Sequence, residues 1–418
     1  MLKVYRIIIH FFYPIIILIT YFRKFVGKED KKKFIEKIYP TNIVFKDKGL
    51  VWFHAASIGE LKSIIPIINF LIKIKKKKVL LTTITYSSGK LVEKKFKNNK
   101  FIFHRYMPFD LPFLINKFLD SFQPKSAIFV DSEIWPNFIY EIKSRQMKLI
   151  LLNARITKKT FDKWKILNKF ATSIFSKFDL CLCSNKNSLN FLKKLNAKKV
   201  KMIGNLKFIT TEKNVEKLKD STLKKLRKYK VWCAASTHKG EELFCLNAHK
   251  IIKHKYSNVL TIIIPRHIER VNEIVLLCKD LKLRSKVINL ESDIDLRSEV
   301  IIINSFGILN KYFNYCNSVF MGKSVLKNKI KVGGQNPLEA VRSGCKVYHG
   351  PYVYNFQEIY NFLNQKRISY KIQSSKLLAN KIISDFSKKT HHNKAINVIN
   401  KHGQLIYNKT IKELKNFI

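Results

Sequence analysis

The chain has 418 residues, of which 46% are hydrophobic, so it is long enough for two domains with full cores and wholesale disorder is excluded. Its 80 Lys and Arg against 29 Asp and Glu give a formal net charge of +51, which favours nucleic acid, phosphorylated lipid or a membrane surface as partner. Lys replaces Arg almost throughout and Ile and Asn are frequent, so compositional drift across a whole proteome explains the charge equally well.

The first predicted element is an apolar segment from Ile7 to Phe22, sixteen residues without a formal charge. It is slightly shorter than the roughly 20 residues that span a bilayer, although flanking lysines can extend it by snorkelling. More positive residues follow the segment than precede it, which favours a cytoplasmic body. We predict a membrane anchor, kinked or interrupted at Pro14. A buried helix is one alternative, and a signal peptide is another, although no small-residue cleavage site follows.

Short apolar segments then alternate with segments of helical periodicity, a pattern that predicts parallel sheets covered on both faces. A polar segment of helical character, Thr211–Lys230, divides the predicted strands five and five. We therefore predict an α/β protein with two doubly wound domains, whose active site lies at the carboxyl ends of the strands and faces the cleft between them. The ten predicted strands are Val51–Ala56, Lys78–Ile84, Ser126–Val130, Lys148–Asn153, Leu180–Ser184, Val231–Ser236, Val259–Pro265, Val300–Asn304, Ser318–Gly322 and Cys345–Gly350.

The motif HAASIGE, from His54 to Glu60, closes the first strand and opens a helix. A capping box explains it structurally, with Ser57 as N-cap and Glu60 reaching back to the Ser57 amide. A functional interpretation places the Glu60 carboxylate at the cleft end of a strand as a general base. The small residues between them would let a substrate approach the backbone.

The motif DSEIWPN, from Asp131 to Asn137, follows a fully apolar strand. Two acids and Trp135 suit sugar recognition, because carboxylates accept hydroxyl hydrogens and an aromatic face stacks on a sugar ring. An ordinary turn into a helix with Pro136 at its first position explains the motif equally well. Further along, Lys207 follows a Gly-Asn turn, where it can either meet a phosphate or be solvated.

Three loops of the second half have the composition of a nucleotide site. The first, STHKGEE, is rich in hydroxyls at a helix start; in the second, Arg266 directly follows an apolar strand and can aim its guanidinium at a phosphate. The third, GGQNPLE, has two glycines before Asn336 and Pro337, which start a helix whose N–H groups attract an anion. A capping box of Asn336 with Glu339 is the structural alternative.

Other chemistries lack their motifs. No G-x-G-x-x-G follows the first strand, no HExxH or G-x-S-x-G occurs, and no Asp-x-Asp pair suggests a metal site, so we expect no metal and no cofactor. The seven cysteines form no C-x-x-C pair, which predicts reduced, buried thiols rather than zinc or redox sites. Lysines are spread along every helix without a recognition module, so nucleic acid is not the expected partner.

Ten blocks of this sequence, in this order, resemble those of the Kdo (3-deoxy-D-manno-octulosonic acid) transferases of lipopolysaccharide assembly. They run from about His54 to Phe356, and the N-terminal apolar segment also fits this family. Ten blocks in register make the resemblance specific. The blocks are HAASIGE, TTITYSSGK, YMPFDLP, DSEIWPN, LNARIT, GNLKF, STHKGEE, IIPRHIERV, GGQNPLEA and GPYVYNF.

The resemblance implies a GT-B-type glycosyltransferase fold, with the acceptor in the first Rossmann-like domain and a CMP-sugar in the second. It implies an inverting, metal-independent transfer of Kdo from CMP-Kdo to a lipid A precursor, lipid IVA. Anionic inner-membrane lipids are further expected partners, and the expected location is the cytoplasmic face of the inner membrane. We accordingly expect a membrane anchor, an acceptor-binding domain, a linker, a CMP-sugar-binding domain and a C-terminal helix at residues 1–26, 27–210, 211–230, 231–400 and 401–418.

By the same resemblance, Glu60 is the general base that deprotonates the attacking hydroxyl, and Asp131 and Lys207 stabilise the transition state. Nine residues match the CMP-binding segments of the family: Pro265, Arg266, Phe306, Gly307, Ile308, Asn336, Pro337, Leu338 and Glu339.

The sequence departs from the family pattern at two places. Asp131 is a shorter carboxylate where the family usually opens a Glu-x-Glu block, and Ile308 stands where Asp-Thr-x-Gly-Glu-Leu would carry an acid. Nucleotide affinity or donor preference is therefore open. A GT-B transferase that uses another nucleotide sugar on a membrane lipid, and a catalytically impaired membrane scaffold, are the alternatives.

Overall fold

The computed structural model describes residues 1–40, 45, 49–209, 218–289, 297–305, 307, 309–327, 333–387 and 392–418. They form two compact units: unit 1 comprises Met1–Thr211 with His402–Ile418, and unit 2 comprises Glu212–Lys401.

Unit 1 is built on a seven-stranded parallel sheet in the order β3-β2-β1-β4-β5-β6-β7. The chain starts at a central strand, builds to one edge, and then returns to place β4 on the free side of β1. This reversal between β1 and β4 is a topological switch point, where α/β sheets bind ligands. The strands are β1 (Val51–His54), β2 (Val79–Thr83), β3 (Ile102–Tyr106), β4 (Ser126–Val130), β5 (Lys148–Ala154), β6 (Leu180–Cys183) and β7 (Val200–Met202).

The central strands of unit 1 are wholly buried and carry a core in which Trp52, Phe118, Phe129 and Phe138 contact one another. A short 3-10 helix, Leu206–Ile209, follows the last strand. The helices are α1 (Leu2–Phe11), α2 (Tyr13–Phe25), α3 (Ile58–Lys73), α4 (Tyr86–Lys95), α5 (Pro112–Phe122), α6 (Pro136–Ser144), α7 (Lys158–Ile166), α8 (Asn168–Phe175) and α9 (Lys186–Lys194).

Unit 2 repeats this plan, with a seven-stranded parallel sheet in the order β10-β11-β9-β8-β12-β13-β14. Its switch point lies between β8 and β12. The strands are β8 (Lys230–Thr237), β9 (Val259–Pro265), β10 (Ser285–Ile288), β11 (Val300–Ile303), β12 (Ser318–Met321), β13 (Lys346–His349) and β14 (Ser369–Lys371). The helices are α10 (Asp220–Leu226), α11 (Glu241–Lys255), α12 (Val271–Asp280), α13 (Leu309–Phe313), α14 (Leu338–Arg342), α15 (Gln357–Gln365), α16 (Ser375–Phe386) and α17 (His392–Leu414).

The last helix, α17, begins in unit 2, and from His402 onward it belongs to unit 1. The His402 ring lies 4.7 Å from the Phe208 ring, and Lys201 pairs with Glu413 at 2.7 Å. Because these contacts join distant parts of the sequence, the end of the chain completes the first unit.

The predicted fold class of two doubly wound parallel α/β domains is confirmed. All ten predicted strands exist, and their bounds differ from the structure by at most two residues at either end. The seven cysteines are free and buried, as predicted. The predicted polar helical segment Thr211–Lys230 contains α10, while residues 211–217 lie outside the described residues.

The four strands that the sequence analysis missed, β3, β7, β10 and β14, are the four edges of the two sheets. Edge strands are covered on fewer sides, and each of these contains partly exposed positions. They therefore lack the continuous apolar run by which the inner strands were recognised.

No single described helix is long and apolar enough to cross a membrane, but α1 and α2 together satisfy the length and composition criteria with a bend of 51°. The break falls at Phe12, two residues before Pro14; because a proline lacks the N–H that would bond four residues back, it interrupts a helix on its N-terminal side, and the predicted interruption is confirmed. Pro14 lies in the first turn of α2, where a missing N–H costs no hydrogen bond.

Candidate active site

The switch point of unit 1 brings two predicted motifs together. Strands β1 and β4 pair in parallel, with His54 opposite Phe129, so the segments that follow them leave the same edge of the sheet. The first segment leads to Glu60, and the second begins with Asp131. Adjacent carboxyl ends of parallel strands thus place both carboxylates at the position where this fold class binds ligands.

Glu60 lies in the first turn of α3 and is partly buried. Ser57 is the N-cap, as predicted, and its Oγ accepts from the Glu60 amide at 3.4 Å. The capping box predicted a bond from the Ser57 amide to the Glu60 side chain, and that bond does not form. It accepts instead from the Ala56 amide and the Ser57 hydroxyl, both at 2.8 Å. These two bonds fix the carboxylate one residue further back than a capping box does.

The pKa of Glu60 is raised from 4.5 to about 7. Burial is the largest cause, and the negative charges of Asp131 and Glu133 add to it, while the two hydrogen bonds oppose the rise. A carboxylate that titrates near neutral pH is suited to accept a proton from a reacting hydroxyl.

Asp131 is nearly buried and has a positive φ of 60°, which is uncommon for a residue other than glycine. Asn153, at the end of the neighbouring strand β5, also has a positive φ, 55°, and its side-chain amide donates to Oδ1 of Asp131. Burial raises the pKa of Asp131, while the positive charge of Lys207 and the hydrogen bond from Asn153 counteract that rise.

Asn153 also connects Asp131 to the segment that carries Lys207. Its Oδ1 accepts from the Leu206 amide at 2.9 Å, at the start of the 3-10 helix that contains Lys207. One end of this amide side chain therefore holds Asp131, and the other end holds the segment that carries Lys207. Nothing in the local sequence assigns a role to Asn153; its one signal is that it is a polar residue near the end of an otherwise apolar strand.

Glu133 organises the aromatic part of this site. Its Oε2 accepts from Trp135 Nε1 at 2.8 Å and lies 3.3 Å from His54 Nε2, while His54 Nδ1 lies 2.9 Å from the Thr82 hydroxyl. The partly exposed indole of Trp135 is thus held in one orientation. Helix α6 begins at Pro136, so the predicted helix start and a role in sugar recognition are compatible.

In unit 2, Glu241 joins the segments that follow β8 and β12, the two strands of the switch point. The carboxylate is buried and accepts four backbone N–H bonds, from His238 at 3.0 Å, Lys323 at 2.5 Å, Ser324 at 2.7 Å and Val325 at 3.0 Å. Burial raises its pKa despite these four donors. The sequence analysis noted this motif for its hydroxyls and missed the carboxylate that fixes the loops.

Pro265 ends β9 opposite Thr237 of β8, and the next amide, that of Arg266, donates to the Thr237 carbonyl at 3.0 Å. The Arg266 side chain is exposed. The rings of His238 and His267 lie 5.6 Å apart, and burial lowers the pKa of His238. The structure therefore places the Arg266 backbone at the carboxyl end of β9, next to β8, and a contact of its guanidinium with a phosphate stays a prediction.

The Gly333–Gly334 segment lies against neighbouring backbone. A Cβ on Gly333 would lie 2.4 Å from the Tyr352 carbonyl oxygen, and Gly334 has a φ of 82°. The Gly334 amide donates to the Lys323 carbonyl at 2.5 Å. This bond joins the glycines to the segment held by Glu241.

Asn336 accepts from the Leu338 amide at 3.2 Å, and α14 begins at Leu338 with Pro337 as its N-cap and Glu339 in its first turn. Of the remaining predicted CMP contacts, Gly307 is described, with a φ of 79°, whereas Phe306 and Ile308 lie outside the described residues. Among the residues that the structure describes, no three His, Cys, Asp or Glu side chains form a group that could hold a metal ion.

Two parallel seven-stranded α/β units with ligand-binding switch points define a GT-B-type glycosyltransferase fold. In agreement, a crystal structure of a glycosyltransferase from Rickettsia africae superposes with a TM-score of 0.59 over 89% of this chain and 99% of that chain, at 15% identity. A family model described as 3-deoxy-D-manno-octulosonic-acid transferase (kdotransferase) matches residues 29–210.

Two relatives carry the same description. The 3-deoxy-D-manno-octulosonic acid transferase of Haemophilus influenzae is 30% identical over 318 residues, which cover 75% of this chain and 73% of that protein. The Rickettsia bellii enzyme of the same name is 28% identical over 384 residues, 91% of this chain and 90% of that protein. The chain belongs to the Kdo transferase family.

Proposed function

We propose that this protein transfers Kdo from CMP-Kdo to a sugar hydroxyl of a lipid A precursor, lipid IVA, with inversion and without a metal ion. Glu60 acts as the general base. Unit 1 binds the acceptor, unit 2 binds CMP-Kdo, and the protein works at the cytoplasmic face of the inner membrane.

One observation carries the proposal for the chemical step. In a member of the Kdo transferase family, a carboxylate at the switch point of unit 1 has its pKa raised to about 7. At neutral pH, Glu60 is then present in both protonation states, so it can take a proton from a substrate and release it to water afterwards. General-base catalysis of this kind contributes about 10²–10⁴ in rate.

The step is a direct displacement. Glu60 takes the proton of the acceptor hydroxyl as its oxygen bonds to the anomeric carbon of Kdo from the face opposite CMP. The bond between that carbon and the phosphate oxygen breaks, its electron pair leaves with CMP, and the configuration inverts. Asp131, which Asn153 holds, and Lys207, on the segment that Asn153 also holds, stabilise the charge that develops during this step.

Negative charge grows on the phosphate of CMP as the bond breaks. In unit 2, the Arg266 guanidinium and the segment from Asn336 to Glu339 at the start of α14 are the groups that would bind and stabilise it. Gly307 and the matching residues Phe306 and Ile308 complete the expected CMP contacts by resemblance to the family. The Gly333–Gly334 segment packs closely on the backbone of Tyr352 and Val353, which would position the loop before α14 for the phosphate.

The membrane location is supported by composition and by the N-terminal helices. A formal charge of +51 attracts both a phosphorylated acceptor and the anionic cytoplasmic leaflet. Helices α1 and α2 expose large apolar side chains. A protein that acts on a lipid needs to meet it at the surface of the bilayer.

The test is CMP release from CMP-Kdo with and without tetraacylated lipid A precursor in detergent. Release from the wild type should depend on the acceptor, and Glu60→Gln should lower it 10²–10⁴-fold. Glu93→Gln, which changes an exposed carboxylate on α4, is the matched control. Undiminished CMP release from Glu60→Gln would show that Glu60 is not the general base. Nucleotide release from a different nucleotide sugar would show that CMP-Kdo is not the donor.

A further inference from the structure

The exposed apolar side chains of α1 and α2 form one continuous stripe. On α1 they are spaced three and four residues apart at Val4, Ile7, Ile8 and Phe11, and α2 repeats the spacing at Ile15, Leu18, Ile19, Phe22 and Phe25. Phe11 and Ile15 are four residues apart, so the stripe continues across the break at Phe12. Exposure reaches 69% at Ile7 and Leu18 and 89% at Phe25. Apolar area of this extent on a single face marks an interaction surface.

The opposite face of α1 is docked on unit 1 by polar contacts. The Tyr5 hydroxyl donates to Oδ2 of Asp110 at 2.8 Å. Arg6 donates to Oδ1 of Asn137 at 3.0 Å and pairs with Glu141 at 2.7 Å. These bonds are specific to one orientation, since they use three groups at fixed positions on α6 and the segment before α5.

Helix α2 is docked in the same way. The Tyr13 hydroxyl donates to the Ile38 carbonyl at 2.9 Å, the ring of Tyr21 lies 5.2 Å from that of Phe34, and Arg23 pairs with the buried Glu29 at 2.7 Å. Both helices therefore lie along unit 1 for their whole length.

A helix pair that crossed the bilayer would have to give up these contacts. Arg6 would enter the hydrocarbon without Glu141, which is costly for a charged side chain. Asp110 would lose the Tyr5 hydroxyl, although it also accepts the Asn137 and Phe138 amides that begin α6. When the two helices are docked on unit 1, all of these bonds are kept and the apolar stripe still faces away from the protein.

We infer that α1 and α2 lie in the plane of a single leaflet and dip their apolar stripe into it, with both ends of the pair on the cytoplasmic side. The occupant of the stripe is an anionic lipid bilayer. Exposed lysines stand at both ends of the helix pair, at Lys3 and at Lys28, Lys31 and Lys32, and they suit the phosphates of a headgroup layer. This inference rests on the proposed membrane location and specifies its topology.

Cysteine labelling in inverted inner-membrane vesicles tests the topology. Because the seven native cysteines are buried, a membrane-impermeant maleimide will read an introduced exposed cysteine. Lys3→Cys and Lys28→Cys report the two ends of the helix pair, and Lys193→Cys on α9 is the control for the body of the protein. All three should react without detergent. Reaction of Lys3→Cys only after detergent is added would mean that the pair spans the bilayer.

Flotation with phosphatidylglycerol vesicles tests the occupant. Leu18→Asn should lower the bound fraction at least tenfold, whereas Leu276→Asn, which changes a 61% exposed leucine on α12, should leave it unchanged. Equal binding of both variants would overturn the stripe as the lipid contact, and a dimer that loses its partner in Leu18→Asn would assign the stripe to a second copy. Failure of the wild type to float would remove the membrane location itself, whereas CMP release in detergent tests the transferase chemistry separately.

Discussion

The side-chain amide of Asn153 donates to the carboxylate of Asp131, and both residues have a left-handed backbone conformation. Asn153 is the last residue but one of β5 and Asp131 directly follows β4, and these two strands pair in parallel. The other end of the same amide accepts from Leu206, so a single side chain holds the acid and the segment of Lys207 in register. Side chains that use both donor and acceptor in this way restrict the geometry of a site more than a single bond does.

Asn153→Asp should lower kcat of acceptor-dependent CMP release about 10–100-fold with little change in KM, because the variant keeps the shape but cannot donate to Asp131 and adds a like charge. Steady-state kinetics measure this. Asn196→Asp is the control. Asn196 also has a positive φ, 63°, and its side chain donates to the Thr172 hydroxyl at 3.0 Å, but it makes no bond to Asp131. An equal loss in the control would indicate a general effect of such substitutions.

The rate at subsaturating acceptor should rise with pH through about 7, close to tenfold per unit below that value, because only ionised Glu60 accepts the proton. Glu60→Gln should be slow and should lose this dependence. Glu93→Gln should retain the wild-type profile. A wild-type rate that is flat between pH 5.5 and 8 would exclude Glu60 as the titrating base.

Glu60→Gln should be more stable than the wild type at pH 8, by about 2 kcal/mol after allowance for partial exposure. A carboxyl whose pKa is raised by folding, from 4.5 to about 7, favours the folded state least when it is ionised, so stability is lost as pH rises through this window. Chemical denaturation at pH 4.5 and pH 8 measures it. The advantage should disappear at pH 4.5, and an advantage that does not change with pH would refute this origin.

Glu241→Gln should destabilise unit 2 by about 2–4 kcal/mol and weaken CMP binding. The carboxylate accepts four backbone N–H bonds, and the NH₂ group of glutamine cannot accept those that its oxygen replaces, so some of the N–H groups lose their partner. Calorimetry of CMP binding and denaturation measure the two effects. Glu273→Gln, at an exposed carboxylate, should change neither. Unaltered CMP affinity in Glu241→Gln would show that the loops held by Glu241 are not part of the CMP-binding site.

Gly334→Ala should weaken CMP binding tenfold or more, because the new Cβ would lie 2.9 Å from Val353 Cα and the segment before α14 must move. Gly49→Ala is the matched control: its φ of 88° is similar, and its Cβ would meet nothing within 4 Å. Both substitutions cost about 1 kcal/mol for the left-handed backbone. Fluorescence titration with CMP should separate them, and similar affinities would contradict a role for this close approach.

The sequence by itself determined the ten inner strands, the two doubly wound domains and the positions of the candidate site motifs. Continuous apolar runs identify strands that are buried on both faces, and turn motifs follow directly from the chain. The start of α6 at Pro136 and the cap of α3 at Ser57 could be predicted because helix starts depend on residues a few positions apart.

Only the tertiary structure decided which residues meet. No local sequence pattern records a pairing between segments that are distant in the sequence. Such pairings determine the edge strands, the return of α17 to unit 1, and the bonds of Asn153 and Glu241. The N-terminal helices show the same limit. Their composition alone predicts a membrane anchor, but the contacts of Tyr5 and Arg6 with unit 1 determine which face is left for a bilayer, because a docked helix can expose only one side.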